Sequence, residues 1–71
     1  MTTAADLLRE MQSYVTVSED IITKAEESGI NENNNNTFSI LVNQWGLGHY
    51  DEDPEYVVSE IKSLLRWMIL N

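Results

Sequence analysis

The dipeptide Asp53-Pro54, followed by EYVVSEIKSLLRWMIL, constrains this chain more than any other feature. An Asp carboxylate at a helix N-cap accepts hydrogen bonds from the unpaired amides of the first turn, and proline's fixed φ suits the first helical position. Behind this start, Val57, Val58, Ile61, Leu64, Leu65, Met68 and Ile69 fall on one stripe. At about 100° per residue the stripe is roughly 140° wide, as in a helix packed on a core. A helix over 54–70 is therefore expected, with that stripe buried. Tyr56, Ser63 and Trp67 fall on a flank away from it, with Glu60 beside them, and Leu70 is also off the stripe. Exposed Tyr and Trp are typical anchors of protein interfaces, so these residues are candidate partner contacts. The competing reading has them covering the edge of a small core or packing against Trp45.

The N-terminal segment carries a second stripe of Ala4, Leu7, Leu8, Met11, Tyr14, Val15, Ile22 and Ala25. Thr3 with Asp6 three residues later resembles a capping box, and Gly29 supplies a left-handed stop. The β-branched run around Val15-Thr16-Val17 lowers helix propensity. Ser18, followed by Glu19 and Asp20, offers a fresh helix start with Val17 stapled against Ile22. One continuous or kinked helix over 4–28 keeps the phase of the stripe and is the expectation, with a break near 16–18 as the alternative.

GINENNNN, residues 29–36, reads as a flexible loop, because asparagine favours turns over helix or strand. In TFSILVNQW, residues 37–45, Phe38, Leu41, Val42 and Trp45 share a helical face, with Asn36 or Thr37 as cap. A strand is compositionally plausible there, yet a single strand has no mate within the chain. A short helix is expected, broken by Gly46-Leu47-Gly48. The fold class is then all-α: a small bundle of three helices, or four if the first is broken, in one domain over 1–71. A chain of 71 residues buries only about 60% of its unfolded surface, which favours self-association, so a homodimer is expected.

Composition narrows the function. Twelve acids against Arg9, Lys24, Lys62 and Arg66 give a net charge of −8, and no basic patch exists for direct nucleic-acid binding. The chain has no cysteine, which removes disulfides and thiolate zinc sites and fits a reducing compartment. No apolar run is long enough for a signal peptide or a membrane span, so a soluble cytoplasmic protein is expected. His49 stands beside Tyr50 and the acids Asp51, Glu52 and Asp53, but consecutive loop residues without ligand spacing do not make a metal site. The acids there suit the positive end of the following helix. One histidine, with Ser39 or Ser59 as the nearest serines by type, gives no spacing that favours nucleophilic catalysis. No catalytic residue, cofactor or metal is expected. Acyl carrier proteins are also small, acidic and helical, but their modified serine lies in an Asp-Ser-Leu-like motif. Here Ser28 sits in Glu27-Ser28-Gly29 and Ser39 follows Phe38, so the motif is missing.

Acids also cluster, in one group with Glu19, Asp20, Glu26, Glu27 and Glu32 and another with Asp51, Glu52, Asp53 and Glu55. They are solvated helix ends, or else a surface for a basic partner that imitates a phosphate backbone. The resulting expectation is a small acidic protein-binding module without catalysis, an adaptor or inhibitor that covers a site on a partner protein. By analogy it is of the kind that phages and mobile elements encode. Its candidate contact residues are Tyr56, Trp67, Leu70, Glu19, Asp20, Glu26 and Glu27. The alternative is a structural subunit of a homo-oligomer or larger assembly.

Overall fold

In a computed structural model, which describes residues 1–48 and 53–71, the chain is all-α. Among those residues it forms four helices: α1 (Ala4–Met11), α2 (Glu19–Ser28), α3 (Asn36–Gly46) and α4 (Pro54–Leu70). His49, Tyr50, Asp51 and Glu52 lie outside the described residues.

The N-terminal segment is two helices, which corrects the expectation of a continuous one over 4–28. The capping box closes α1, with the Asp6 amide donating to Thr3 Oγ1 at 3.1 Å and the Thr3 amide to Asp6 Oδ2 at 3.2 Å. The helix stops at Met11, and the Ser18 hydroxyl starts α2 by accepting from the Ile21 amide at 3.4 Å. A straight helix over 4–28 would run about 37 Å, longer than the 32 Å long axis of the molecule. Breaking the chain lets α1 and α2 bury their apolar faces on each other instead. Ala4, Ala5, Leu7, Leu8 and Met11 of α1 and Ile21, Ile22 and Ala25 of α2 are all buried, as is Val17 between them. Tyr14, placed on the core stripe by phase, falls in the break and is exposed. Its ring meets that of Trp45 edge-on, with centroids 5.7 Å apart and planes at 81°.

Gly29 ends α2 in the left-handed region at φ 69°, where a side chain would be strained. The asparagines that follow are bonded into a tight turn, where the sequence suggested a flexible connection. Asn31 Oδ1 accepts from the amides of Asn33 and Asn34, Asn34 Oδ1 accepts from the Asn31 amide, and Asn34 Nδ2 donates to the Gly29 carbonyl at 2.8 Å. Short amide side chains satisfy turn backbone that helix or strand would otherwise pair. The turn also holds the N-terminus: the Ala4 amide donates to the Ile30 carbonyl at 2.9 Å, and Thr3 bridges Asn31.

The 37–45 segment is helical, as expected, but Asn35 is its cap: its Oδ1 accepts from the Phe38 amide at 2.9 Å. Phe38 and Leu41 are buried, and Val42 and Trp45 pack against the core edge. Asp53 caps α4, accepting from the Tyr56 amide at 3.3 Å with Pro54 in the first turn. α4 packs chiefly on α1 and α2 and buries Val58, Ile61 and Leu65; Val57, Met68 and Ile69 are half-buried. Leu64 departs from expectation: it is 51% exposed. It projects roughly 100° from the line through Val58, Ile61 and Leu65. Neighbours on one side only cannot cover so wide a stripe.

Candidate protein-binding surface

The exposure of Leu64 changes the character of α4. Tyr56, Ser63, Trp67 and Leu70 project within about 60° of one another on the outer side of the helix, and Leu64 extends that patch sideways. Tyr56 is 64% exposed and Trp67 66%, and Leu70 is exposed as well. Trp45 meets Tyr14 edge-on, and Tyr56 and Trp67 each remain about two-thirds exposed. Aromatic side chains carry 150–250 Å² each, so with the two leucines the patch reaches roughly 300–500 Å². A surface of that size on a small protein is often a contact surface. On α3 only two large apolar side chains, Ile40 and Leu47, are exposed, with Asn43 and Gln44 between them.

Basic side chains border one edge. Lys24 of α2 and Arg66 of α4 line an open cleft of about 220 Å³ together with Ser18, Asp20, Ile21 and Leu70. An adjoining cleft of about 330 Å³ runs along Lys24, Glu27, Ser28, Ile69 and Leu70. Sequence reasoning missed this convergence, because Lys24 and Arg66 are brought together only by the packing of α2 on α4. Lys62 on the same helix is engaged elsewhere, its Nζ donating to the Thr16 carbonyl at 2.7 Å.

The acidic groups are distributed differently from what their sequence clustering suggests. Glu26 accepts from Arg9 at 2.7 Å, and this hydrogen bond, more than the neighbouring carboxylates, raises the guanidinium's already high pKa. The Glu32 carboxylate accepts from the Thr2 amide at 2.7 Å, and Asp53 caps α4. Glu19 and Asp20 are exposed in the first turn of α2, where the helix dipole favours them, and Glu27 is exposed nearer its end. Asp6 is held below the usual carboxylate range, first by the Thr3 amide and then by the Thr3 hydroxyl. Thus Glu19, Asp20 and Glu27 face solvent, while Glu26 is tied to α1.

Candidate reactive groups are placed as follows. The Ser28 hydroxyl donates to the Ala25 carbonyl at 2.6 Å and accepts from the Ile30 amide, a helix-ending role. Ser39 is half-buried on α3 and Ser59 exposed on α4, well apart in the chain. His49 lies outside the described residues. Among the described residues no three His, Asp or Glu side chains converge as metal ligation would require. A further cleft, about 290 Å³ between α1 and α2, is lined by the Arg9, Asp6 and Glu26 ion network. The open clefts described here lie at or near the lower limit for small-molecule pockets. No helix of the structure is long and apolar enough to cross a membrane. No family model, no curated protein and no solved structure matches the chain.

Proposed function

We propose that this chain is a protein-binding module without catalytic activity, an adaptor or inhibitor that covers a site on another protein with the outer face of α4. One observation carries the reading. Tyr56, Leu64, Trp67 and Leu70 expose large apolar side chains around Glu60 and Ser63, on a helix whose opposite side buries Val58, Ile61 and Leu65 in the core. Interface energy concentrates in such aromatic anchors, with Tyr and Trp prominent among them. The absence of cysteine supports a reducing compartment such as the cytoplasm. The acids Glu19, Asp20 and Glu27 would add charge complementarity toward a basic partner, tuning association rate more than affinity.

The test compares tagged full-length chain with its Trp67→Ala and Glu27→Gln variants as bait in extract of the cells that make it. The expected result is a protein recovered by the wild type and by Glu27→Gln but lost with Trp67→Ala. Equal recovery by all three would move the contact away from α4. Loss with Glu27→Gln alone would assign it to the acidic face. A second reading, a structural subunit of a homo-oligomer, is favoured by the distribution of charge along α4.

A further inference from the structure

Along α4 the charges separate by sign. Asp53, Glu55 and Glu60 lie in its first half or at its cap, whereas Arg66 lies in its second half and Lys62, at its midpoint, donates to the Thr16 carbonyl. Lys24 joins the basic end from α2, in the cleft it shares with Arg66, Leu70 and one carboxylate, Asp20. Tyr56, Leu64, Trp67 and Leu70, with Glu60 among them, therefore lie between Glu55 at one end and Arg66 and Lys24 at the other, where Asp20 and Glu27 also line the clefts. Such a surface is complementary to itself turned end for end.

We infer that the occupant of this face is a second copy of the chain, docked as an antiparallel two-fold pair of α4 helices centred on Ser63. The inference rests on the reading of α4 as the contact surface and, by naming a second copy as occupant, takes up the homo-oligomer reading. In that arrangement Tyr56 stands level with Leu70 of the second copy, and Trp67 stands level with Ser59 of the second copy. The small exposed Ser59 and Ser63 make room for the rings. The two-fold axis is perpendicular to the plane of the helix pair, so each flank of α4 faces the same flank of its copy. Glu55 and Arg66 project on one flank, about 20° apart at 100° per residue. Glu55 of the second copy stands level with Asn71, about 7.5 Å beyond Arg66 along the axis and within reach of its long side chain, and the reciprocal contact forms at the other end. On the opposite flank the two Leu64 side chains come within about 3 Å of the same height at 1.5 Å of rise per residue. A parallel pairing would set acid on acid at one end and base on base at the other. The isologous geometry repeats each contact twice, as closed dimers do. The strip lies at the low end of interface sizes, as weak and transient contacts do.

The chain has no cysteine, so single engineered ones report the geometry without background. Sedimentation equilibrium of the full chain should show a monomer–dimer equilibrium. Trp67→Ala should weaken it about tenfold or more. Under mild oxidation Ser63→Cys should form a disulfide dimer, because a residue on the axis meets its own copy. Tyr56→Cys should not cross-link to itself, its copy lying about 21 Å away along the axis. An equimolar mixture of Tyr56→Cys and Leu70→Cys chains should give the mixed dimer. Self-cross-linking of Tyr56→Cys would overturn the antiparallel geometry. A monomer at high micromolar concentration, with no Ser63→Cys dimer, would overturn the second copy as occupant. The proposed function would survive that result if a different protein were still lost from Trp67→Ala bait, so the two failures are distinguishable.

Discussion

Leu64 and Leu65 are adjacent, chemically identical and expected to differ sharply on truncation. Leu65 is fully buried against α1 and α2, while Leu64 faces outward and is 51% exposed. Leu65→Ala removes the transfer energy of a buried side chain and leaves a cavity, about 2–5 kcal/mol. Leu64→Ala removes roughly half of that apolar burial and opens no cavity, so it should remain below about 1 kcal/mol. A chain of this length has a total stability of roughly 4–10 kcal/mol. The first variant should therefore lose a fifth or more of the whole, while the second stays near wild type. Urea unfolding followed by far-UV circular dichroism, at low micromolar concentration, measures both. With a slope of about 1 kcal/mol per molar, Leu65→Ala should shift the midpoint down by about 2 M or more, and Leu64→Ala by less than about 1 M. Comparable losses in the two variants would mean that α4 is buried all round, and the outer contact face would not exist.

Other perturbations test the supporting structure. Phe38→Ala, at the fully buried anchor of α3, should cost about 3–5 kcal/mol in the same urea assay and leave the chain barely folded at 37 °C. Ser18→Ala removes the cap that starts α2 and should cost about 1 kcal/mol, lowering the melting temperature by about 4–8 °C. The Asp6 carboxyl has a folded pKa below its ordinary 3.8, so its stabilisation is present above that value and is lost as pH falls through the folded pKa. The gap in melting temperature between wild type and Asp6→Asn should accordingly be constant from pH 5 to 7 and close below about pH 3.8. Arg9→Ala breaks an exposed ion pair with Glu26 and should change the melting temperature by only a degree or two, less in high salt.

The parts of the fold legible in the sequence are those set by local chemistry. Asp53-Pro54, Gly29 and the Thr3/Asp6 pair act within four residues of themselves, and each is where its residue types place it. The break before Ser18 pitted a local cap against the phase of a long stripe. Tertiary packing decided it, since only a reversal lets α1 and α2 cover each other. Leu64 and Tyr14 were misplaced for a related reason. Periodicity marks every apolar residue on an arc, but the number of neighbouring helices fixes how much of the arc is covered. The asparagine turn was unreadable because its order comes from side-chain bonds to backbone and from contact with the N-terminus. At the surface, the exposed flank of Tyr56, Trp67 and Leu70 followed from helical phase alone. The cleft joining Lys24 to Arg66 did not, because those residues are 42 positions apart in the chain.

The most direct test of the outer face of α4 as a protein contact surface is a dilution series of amide, indole and methyl spectra by nuclear magnetic resonance. Between about 10 μM and 1 mM, a range that spans weak and transient association, signals of Tyr56, Ser63, Leu64, Trp67 and Leu70 should move together along one binding curve. Those of the asparagine turn and of the α1 surface should stay fixed. Concentration-dependent shifts confined to α1 or α3, or no shifts on α4 either with concentration or with added cell extract, would contradict the account.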